Sequence, residues 1–413
     1  MFEFFNKMYM KKLVVIFFIG MVLCSCSKEK VRNVKELISF KNKYKFDFEI
    51  LEKLENDTVA WKYQLSANEF MLKGNCLNAL KEWDKAFKGR EVLYSSRKAD
   101  SLRSNFTVHN AKDEIINESE NTRLVIINEG HHNSYHRLFT KSLLEELYAK
   151  GYKHLGLEAL ANGKDKDLML NTRGYPIKTS GYYTNDPNFS QLIRTAIKIG
   201  YNVFPYEQTI GVNNKEREIE QAKNIQKELE KFPNDKFLIH CGFDHVLEGS
   251  HRRWGKSMAG RLKEYTGINP LTIHQTKYSE RGDKKLNSPL LKVFNVKKPS
   301  VLKDKNGSFF KYKRSNAWAD IAVFHSSIKT DKGMIVEKDE VMYTLELERL
   351  KVEYPLMILV FETKDDLTKA VPVKIKEVHK KQNSTVLNLP KGEYSFVIVS
   401  KTNKTITFQE EIK

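Results

Sequence analysis

The amino-acid sequence predicts an α/β protein: a central, mostly parallel sheet with flanking helices, preceded by a helical region and followed by a small antiparallel β-sandwich. Between residues 121 and 276, short apolar runs alternate with amphipathic helical stretches, as in βαβ units. After residue 335, strand-like runs follow one another and Pro-Lys-Gly-Glu supplies a turn, which is typical of small antiparallel sheets.

The individual elements follow from hydrophobic periodicity. Residues 124–127 form an apolar run rich in β-branched side chains, which suits a strand buried on both faces. An amphipathic helix follows over 138–148 and ends near Gly151. The same criteria place strands at 155–157, 201–206, 236–239 and 271–273, and helices at 190–199, 215–231 and 252–265. Beyond residue 335 they place strands at 341–345, 356–361, 371–375, 384–389, 394–399 and 405–410.

Ionisable or amide side chains follow every predicted strand of the central sheet. In strand order they are Glu129 with His131, His132 and His136, then Glu158, Glu207, His240 with His245, and His274 with Gln275. A buried core has no need to place polar groups at one edge, and open α/β sheets bind ligands beyond the carboxyl ends of their strands. The sequence therefore predicts a functional site at this edge.

The beginning of the chain predicts export and a lipid anchor. Lys11 and Lys12 precede an apolar run over 13–23, which is short of the ~20 residues that a membrane span needs but suits a signal peptide. The run ends Leu-Cys-Ser-Cys, which resembles a bacterial lipobox with Cys26 as the lipidated residue. We expect attachment to the cell envelope, at the outer membrane of a Gram-negative bacterium. An uncleaved membrane helix is the alternative.

The amino-acid composition limits which binding partners are expected. The chain carries a formal net charge of +18, which would attract it to anionic lipid headgroups. Nucleic acid is not expected as a partner, because the lysines are scattered along the chain and the protein is predicted to be exported. Besides the two cysteines of the lipobox only Cys76 and Cys241 remain, too few for a disulfide framework.

Shifts in composition divide the chain into segments. We expect a signal peptide over 1–25, a helical region over 26–120, the α/β region over 121–276, a Lys-rich linker or extension over 277–335 and the β-sandwich over 336–413. Residues 62–88 resemble one tetratricopeptide-type hairpin, with an ordinary helical pair as the alternative. The long, aromatic segment 162–189 is predicted to be a substrate-facing lid without secondary structure of its own.

Several ordered motifs of the α/β region resemble one superfamily. They are Asn-Glu-Gly-His-His-Asn over 128–133, Leu-Glu-Ala-Leu over 157–160, Gly-Tyr-Tyr-Thr-Asn-Asp-Pro over 181–187, Arg-Glu at 217–218, and His-Cys-Gly-Phe-Asp-His over 240–245. Together they are similar to the superfamily of erythromycin esterases, ChaN-like haem-binding lipoproteins and TraB/TIKI-type metalloproteases. The resemblance covers roughly residues 122–276 and implies an α/β fold with a His/Glu site.

The resemblance leaves the branch of the superfamily open. Asn128 stands where the family usually has glycine, and either His131 or His132 matches the family's histidine after the glutamate. The two spacings separate the metal or haem branches from the esterase branch.

Two mechanisms fit these residue types. In the first, histidine and glutamate hold a divalent metal, manganese, zinc or cobalt, with an open position for a water that the ion activates. His131, His240 and Glu207 are the predicted ligands.

The second mechanism needs no metal. A histidine with an unperturbed pKa of about 6.5, oriented by a glutamate, acts as general base on water. His132 and His245 are the suspected bases, Glu129 and Glu158 the carboxylates. Through the resemblance, Arg217 is expected to stabilise an oxyanion or a substrate carboxylate.

The sequence thus predicts a lipid-anchored hydrolase that cleaves an ester or amide in a small-molecule or peptide substrate. Tyr182, Tyr183 and Asp186 of the lid are the predicted substrate contacts. One alternative is a haem- or metal-binding lipoprotein without turnover, in which His131 or His136 is a ligand. Another is a scaffold with a vestigial site. We expect Cys241 to be a small buried thiol rather than a ligand or nucleophile.

Overall fold

The computed structural model describes residues 33–413 except 38–39, 88, 326–329, 332–333, 336 and 338. The predicted signal peptide and Cys26 lie outside the described residues. Within the described part of the chain, no helix is both long and apolar enough to cross a membrane.

The helices of the described residues include the pair predicted near the amino terminus and those predicted between the strands of the sheet. They are α1 (Asp47–Asn56), α2 (Lys62–Leu72), α3 (Cys76–Ala86), α4 (Ser96–Asn105), α5 (Ala111–Glu118), α6 (Tyr135–Ala149), α7 (Leu170–Arg173), α8 (Pro187–Ile199), α9 (Lys215–Lys231), α10 (Met258–Thr266) and α11 (Pro289–Phe294).

The strands fall into a first group before residue 336 and a second group after it. The first group is β1 (Lys35–Glu36), β2 (Phe106–Asn110), β3 (Leu124–Glu129), β4 (Tyr152–Leu157), β5 (Asn202–Pro205), β6 (Lys236–Gly242), β7 (Glu248–Gly249), β8 (Leu271–Tyr278), β9 (Ser300–Asp304), β10 (Tyr312–Arg314), β11 (Ala317–Ala319), β12 (Ile321–Phe324), β13 (Thr330–Asp331) and β14 (Met334–Ile335). The second is β15 (Val341–Glu346), β16 (Leu356–Glu362), β17 (Lys374–Val378), β18 (Ser384–Leu389), β19 (Gly392–Ser400) and β20 (Thr405–Ile412).

The largest sheet has eight strands in the order β2-β9-β12-β8-β3-β6-β4-β5. From β12 to β5 every neighbouring pair is parallel, whereas β9 and β2 add an antiparallel edge. The predicted α/β class with a mostly parallel central sheet is confirmed. Strand β3 lies in the middle, and all six of its residues are buried.

Helices cover both faces of this sheet, as parallel strands require. Along β3 the side chains alternate with the period of two expected for a strand. Val125 and Ile127 pack in one core with residues of α5, α6 and α8, and Leu124 and Ile126 pack in a second core with residues of α9 and α10.

Several predicted segments differ from the structure. The region 26–120, expected to be helical, also contributes strands in its described part, since β1 and β2 both pair in sheets. Residues 277–335, expected to be a linker, contribute β9 and β12 to the large sheet. The lid 162–189 contains α7 and short 3-10 turns, and Ile177 forms a β-bridge with Ala370. Helix α10 begins at Met258 rather than at residue 252, because the backbones of His251 and Gly255 hydrogen-bond to each other in a turn.

After residue 335 the strands form antiparallel sheets. Five strands are ordered β1-β20-β19-β16-β17, and β15 pairs with β18. Leu345 and Leu387 of the pair share a core with Ile358 and Phe396 of the five-stranded sheet. All six strands predicted here form, although β17 begins three residues after its predicted start at 371.

The predicted helical pair near the amino terminus is α2 and α3. Gly74 allows a tight turn between them with a φ of +74°. Asn75 then caps α3, because its side chain accepts a hydrogen bond from the amide of Asn78. This pair places Met71 and Trp83 beside the carboxyl edge of the large sheet, where they contact Arg137 and His132.

Candidate functional site

The carboxyl edge of the large sheet gathers charged side chains around two arginines. The Arg137 cluster consists of Arg137 with Glu129, His131, Asp186 and His240. The Arg217 cluster consists of Arg217 with Glu158, Glu207, Glu218 and His245.

Arg137 is a fully buried arginine on the first turn of α6. Its Nε and Nη2 donate to the two carboxylate oxygens of Glu129 at 2.6 and 2.7 Å, and its Nη1 donates to Asp186 Oδ2 at 2.7 Å. Burial opposes ionisation of Glu129, but the charge and hydrogen bonds of Arg137 hold the pKa of that carboxyl well below its usual range. A planar guanidinium thus fixes the carboxylate at the end of β3.

His131 is the histidine that pairs with Glu129. Its Nδ1 lies 2.8 Å from Glu129 Oε1, and since an ionised carboxylate only accepts, Nδ1 carries the hydrogen. The imidazole stacks on Tyr183 with 4.0 Å between ring centroids. The other ring nitrogen, Nε2, is left as a proton acceptor.

Gly242, at the end of β6, makes room for this imidazole. A Cβ at Gly242 would lie 2.6 Å from His131 Nε2 and 3.4 Å from Glu158 Oε2. The Gly242 amide also donates to Glu158 Oε2. His131 Nε2 and Glu158 therefore lie on either side of one glycine, where the two clusters meet.

Arg217, at the start of α9, holds the second cluster together. It donates from Nη2 to Glu158 Oε1 at 2.6 Å and from Nε to Glu207 Oε1 at 3.0 Å, and its Nη1 lies 3.1 Å from His245 Nε2. Its side chain is 29% exposed, unlike the buried Arg137. Arg217 therefore brings positive charge to the solvent side of the site.

His245 is oriented by a carboxylate in the same way as His131. Glu218 is buried on α9, and its carboxylate lies 2.8 Å from His245 Nδ1 and accepts the amide hydrogen of Met258. Burial lowers the pKa of His245, but the carboxylates of Glu158 and Glu218 outweigh burial and raise it above its usual value. Burial likewise raises the pKa of Glu158, but His245 and Arg217 bring it down to about 2.

His132 faces away from Glu129. Its ring stacks on Trp83 with a centroid distance of 3.8 Å and an interplanar angle of 5°. Burial, and then the charge of Arg281, holds the pKa of His132 well below its usual range. The structure thus gives His131 the position beside Glu129 for which the sequence suggested His132.

His136 has no free ring nitrogen. The Gly130 amide donates to its Nδ1 at 2.9 Å, so the hydrogen is on Nε2, which donates to Ser279 Oγ at 2.7 Å. His136 can therefore neither bind haem iron without breaking a hydrogen bond nor act as a base for Ser279. This geometry weighs against the haem alternative through His136.

The predicted metal ligands do not form one set. His131 and His240 lie in the Arg137 cluster, whereas Glu207 is engaged by Arg217 and Gln221 in the other cluster. Four of the carboxylates already accept guanidinium hydrogens, and Glu218 accepts hydrogens from His245 and from the Met258 amide, so the residues present do not fit a divalent ion.

A group of three side chains with ligand atoms close enough for a metal occurs elsewhere in the described residues. It consists of Asp47, Glu377 and His379. The ammonium group of the buried Lys73 ion-pairs with both carboxylates of this group. A lysine thus supplies the positive charge there.

The predicted substrate contacts have different environments. Tyr183 stacks on His131 at the site, and Tyr182 is 52% exposed beside it. Asp186 instead is buried, where its carboxylate caps α8 through the Phe189 amide and ion-pairs with Arg137. Its carboxylate is thus engaged by α8 and by Arg137. Cys241 is a buried thiol, and burial raises its pKa well above its usual value.

The sequence interpretation did not select Arg137, Glu218 or Gly242 as site residues. Arg137 lies seven residues, or about two helical turns, before the buried Leu144, so both residues lie on the same face of α6. The buried face of this helix therefore carries a charged residue. An arginine on such a face requires a carboxylate partner, which is the signal that could have identified it. Gly242 lies inside the predicted motif over 240–245, but its spatial role needs the position of His131.

The fold and the site define an α/β protein with a buried His/Glu/Arg site at the carboxyl edge of its sheet. No protein-family model matches the chain, and no curated protein matches it. Among solved structures, the type III effector HopBA1 is similar over 45% of this chain and 94% of its own, with 14% identity and a TM-score of 0.32. The effector domain RRSP of a MARTX toxin from Vibrio vulnificus is similar over 52% of this chain and 45% of its own, with 15% identity and a TM-score of 0.28.

Proposed function

We propose that this protein is a cell-envelope lipoprotein, anchored through Cys26, whose central region hydrolyses an ester or amide bond by metal-free activation of water. The substrate is a small molecule or a peptide. The proposal includes a distant relationship of residues 122–276 to the erythromycin esterase, ChaN-like and TraB/TIKI superfamily, on the motifs described above. It also includes a β-sandwich for the C-terminal strands.

The observation that supports hydrolysis most directly is the pairing of His131 with Glu129. An imidazole whose Nδ1 hydrogen is held by a carboxylate presents Nε2 as a general base. The His131 side chain is 16% exposed, so water reaches a base that is otherwise fixed by Tyr183 and Gly242. Position and hydrogen bonding, rather than a metal, would then activate the water.

The reaction follows in two proton transfers. His131 Nε2 takes a proton from water while the water oxygen attacks the carbonyl carbon, and Glu129 stabilises the imidazolium ion. Arg217, whose side chain is 29% exposed, stabilises the negative charge on the former carbonyl oxygen. The imidazolium then gives the proton to the leaving oxygen or nitrogen as its bond to carbon breaks. His131 ends as the neutral base.

Arginines provide the positive charge in this mechanism. Arg137 lies between Glu129 and Asp186, and Arg217 lies between Glu158 and Glu207. A divalent ion at these carboxylates would have to displace a guanidinium group and leave it close to the ion. This arrangement favours the metal-free mechanism over the metal-assisted one.

The test is turnover of a panel of chromogenic esters and amides by residues 27–413, with and without EDTA. We expect turnover that EDTA leaves unchanged, that His131→Gln lowers by about 10² to 10⁴, and that His379→Gln, a change at an exposed histidine, does not alter. Loss in His132→Gln but not in His131→Gln would refute the assigned base. Turnover that EDTA abolishes would refute the metal-free mechanism, and no turnover on any substrate would count against hydrolysis itself.

A further inference from the structure

A cleft of about 570 Å³ lies beside the Arg137 cluster, on the far side of His132. Its walls come from the end of α3, the segment after it, the end of β8 and the segment that follows β8. The residues of the proposed hydrolytic centre, Glu129, His131, Glu158 and Arg217, do not line it. Phe243 lines the cleft and also contacts the edge of the His131 ring.

Flat rings form one side of this cleft. The rings of Trp83 and His132 are parallel within 5°, and those of Trp83 and Phe243 are parallel within 13°. Tyr278 and Tyr312 also line the cleft, and Tyr312 stacks on His274. Aromatic faces in these orientations favour a planar ring as ligand, because ring–ring contact adds to the burial of apolar surface.

The charged groups of the cleft are mainly positive. Arg90, Lys277 and Arg281 line it, together with the acids Asp244 and Glu280. Asp244 is already ion-paired with Arg314. Arg90 and Lys277 are exposed, and within the described residues neither makes an ion pair. Two cations are thus available to a ligand.

The cleft is held in shape by Asp84 on α3. Asp84 accepts hydrogen bonds from Arg281 Nε at 2.5 Å and from the Asp283 amide at 2.8 Å. Between these residues, Gly282 lies so close to α3 that a Cβ on it would be 2.5 Å from the Lys81 nitrogen. The helix that carries Trp83 and the segment that carries Arg281 therefore form one preorganised wall.

We propose that this cleft is a binding site for an anionic aromatic ligand. The ring of the ligand packs against Trp83 and Phe243, and its negative group lies toward Arg90 and Lys277. The site is separate from the proposed hydrolytic centre and does not depend on hydrolysis. Burial keeps His132 neutral, so the attraction comes from the arginine and lysine side chains rather than from the histidines.

The test compares two probes that share one ring system: 8-anilinonaphthalene-1-sulfonate, which carries a negative charge, and the neutral N-phenyl-1-naphthylamine. Binding to residues 27–413 is measured by fluorescence, with energy transfer from tryptophan reporting position. We expect the sulfonate to bind at least about tenfold more tightly, since two cations face it. Trp83→Phe should keep binding but reduce the energy transfer.

Charge variants locate the site. Arg90→Ala and Lys277→Ala should each weaken sulfonate binding about threefold, as partly exposed charge pairs do, and leave the neutral probe unaffected. Lys401→Ala, at an exposed lysine of the C-terminal region, is the control and should change neither probe. Equal affinity for the two probes, or sulfonate binding insensitive to Arg90 and Lys277, would overturn the proposal. Because the readout is binding, inactive protein still gives a decisive result.

Discussion

His131 Nδ1 lies 2.8 Å from Glu129 Oε1 although only Gly130 separates the two residues in the chain. A tight turn achieves this, since the Asn133 amide donates to the Gly130 carbonyl at 2.7 Å. The ring of His131 stacks on Tyr183, whereas the ring of His132 stacks on Trp83. As a result, His131 belongs to the Arg137 cluster, whereas His132 lines the neighbouring cleft.

Glu129→Ala tests fold stability as much as chemistry. It leaves the charge of the fully buried Arg137 without its main partner, so we expect a loss of about 3–5 kcal/mol in the free energy of unfolding. Urea denaturation followed by circular dichroism measures it. The control is Glu146→Ala, on the exposed face of α6, the helix that also carries Arg137. It removes the partner of Lys112 and should lower the free energy of unfolding by less than about 1 kcal/mol.

A combined variant separates the two roles of Glu129. If the loss comes from the unpaired guanidinium, Arg137→Met together with Asp186→Asn in the Glu129→Ala background should recover part of the stability, because neither a buried cation nor the buried Asp186 carboxylate is then left unpaired. Turnover should remain low in the combined variant, because His131 then lacks the carboxylate that orients it. Equal stability of the Glu129→Ala variant and the combined variant would contradict this explanation.

Gly242→Ala should disturb the site with little change elsewhere. The new methyl group would lie 2.5 Å from His131 Cε1, so the imidazole must move away from Glu158 or the strand must shift. We expect a loss of about 1–3 kcal/mol in stability, typical of overpacking, and a drop in turnover. The matched control is Gly260→Ala in α10, where the nearest atom to the new methyl is 3.6 Å away. A Gly242→Ala protein with unchanged turnover would exclude His131 Nε2 as the base.

Hydrophobic periodicity predicted the buried strands of the large sheet because their apolar runs are continuous. It missed β2, β9 and β12, since Phe106–Asn110 and Ser300–Asp304 mix apolar with polar residues, and Ile321–Phe324 lies in the Lys-rich stretch that was interpreted as a linker or extension. Segments of this kind become strands through pairing with neighbours, Phe324 with Ser300 for example, and pairing is not a local property of sequence.

The candidate site was predicted in part for a similar reason. Glu129, Glu158, Glu207 and His245 were predicted to lie at one edge of the central sheet, because each of them follows a predicted strand. Their grouping depends on Arg137 and Arg217, whose charged partners come from segments up to 59 residues away, as in the pair of Arg217 with Glu158. Which of His131 and His132 faces Glu129 depends on a turn, and no periodicity encodes it.

Asp365→Ala should weaken the attachment of the C-terminal strands to the large sheet. Arg194 on α8 donates to both oxygens of Asp365, at 3.1 and 2.6 Å, and both side chains are buried. Removing the carboxylate leaves a buried guanidinium with the more distant Glu362, so we expect a loss of about 3–5 kcal/mol. Asp366→Ala is the control, since Asp366 is exposed. Calorimetry decides between the expected drop in Tm and an unchanged Tm, which would show that the ion pair is not needed.

Stability should fall as the pH falls from 7.5 to 5, and His325 should account for part of the fall. Burial lowers the pKa of His325 to about 3, whereas unfolded histidine titrates near 6.5. Between these values the unfolded chain binds a proton that the folded chain does not, so stability present above pH 6.5 is lost on acidification, by about 2 kcal/mol at pH 5.

His325→Gln should remove this part of the pH dependence in urea titrations, whereas His379→Gln, at an exposed histidine, should not. His245, with a raised pKa, acts in the opposite direction, because its contribution is complete below pH 6.5 and is lost as the pH rises. If His325→Gln and the unchanged protein lose equal stability between pH 7.5 and 5, protons reach His325 in the folded state.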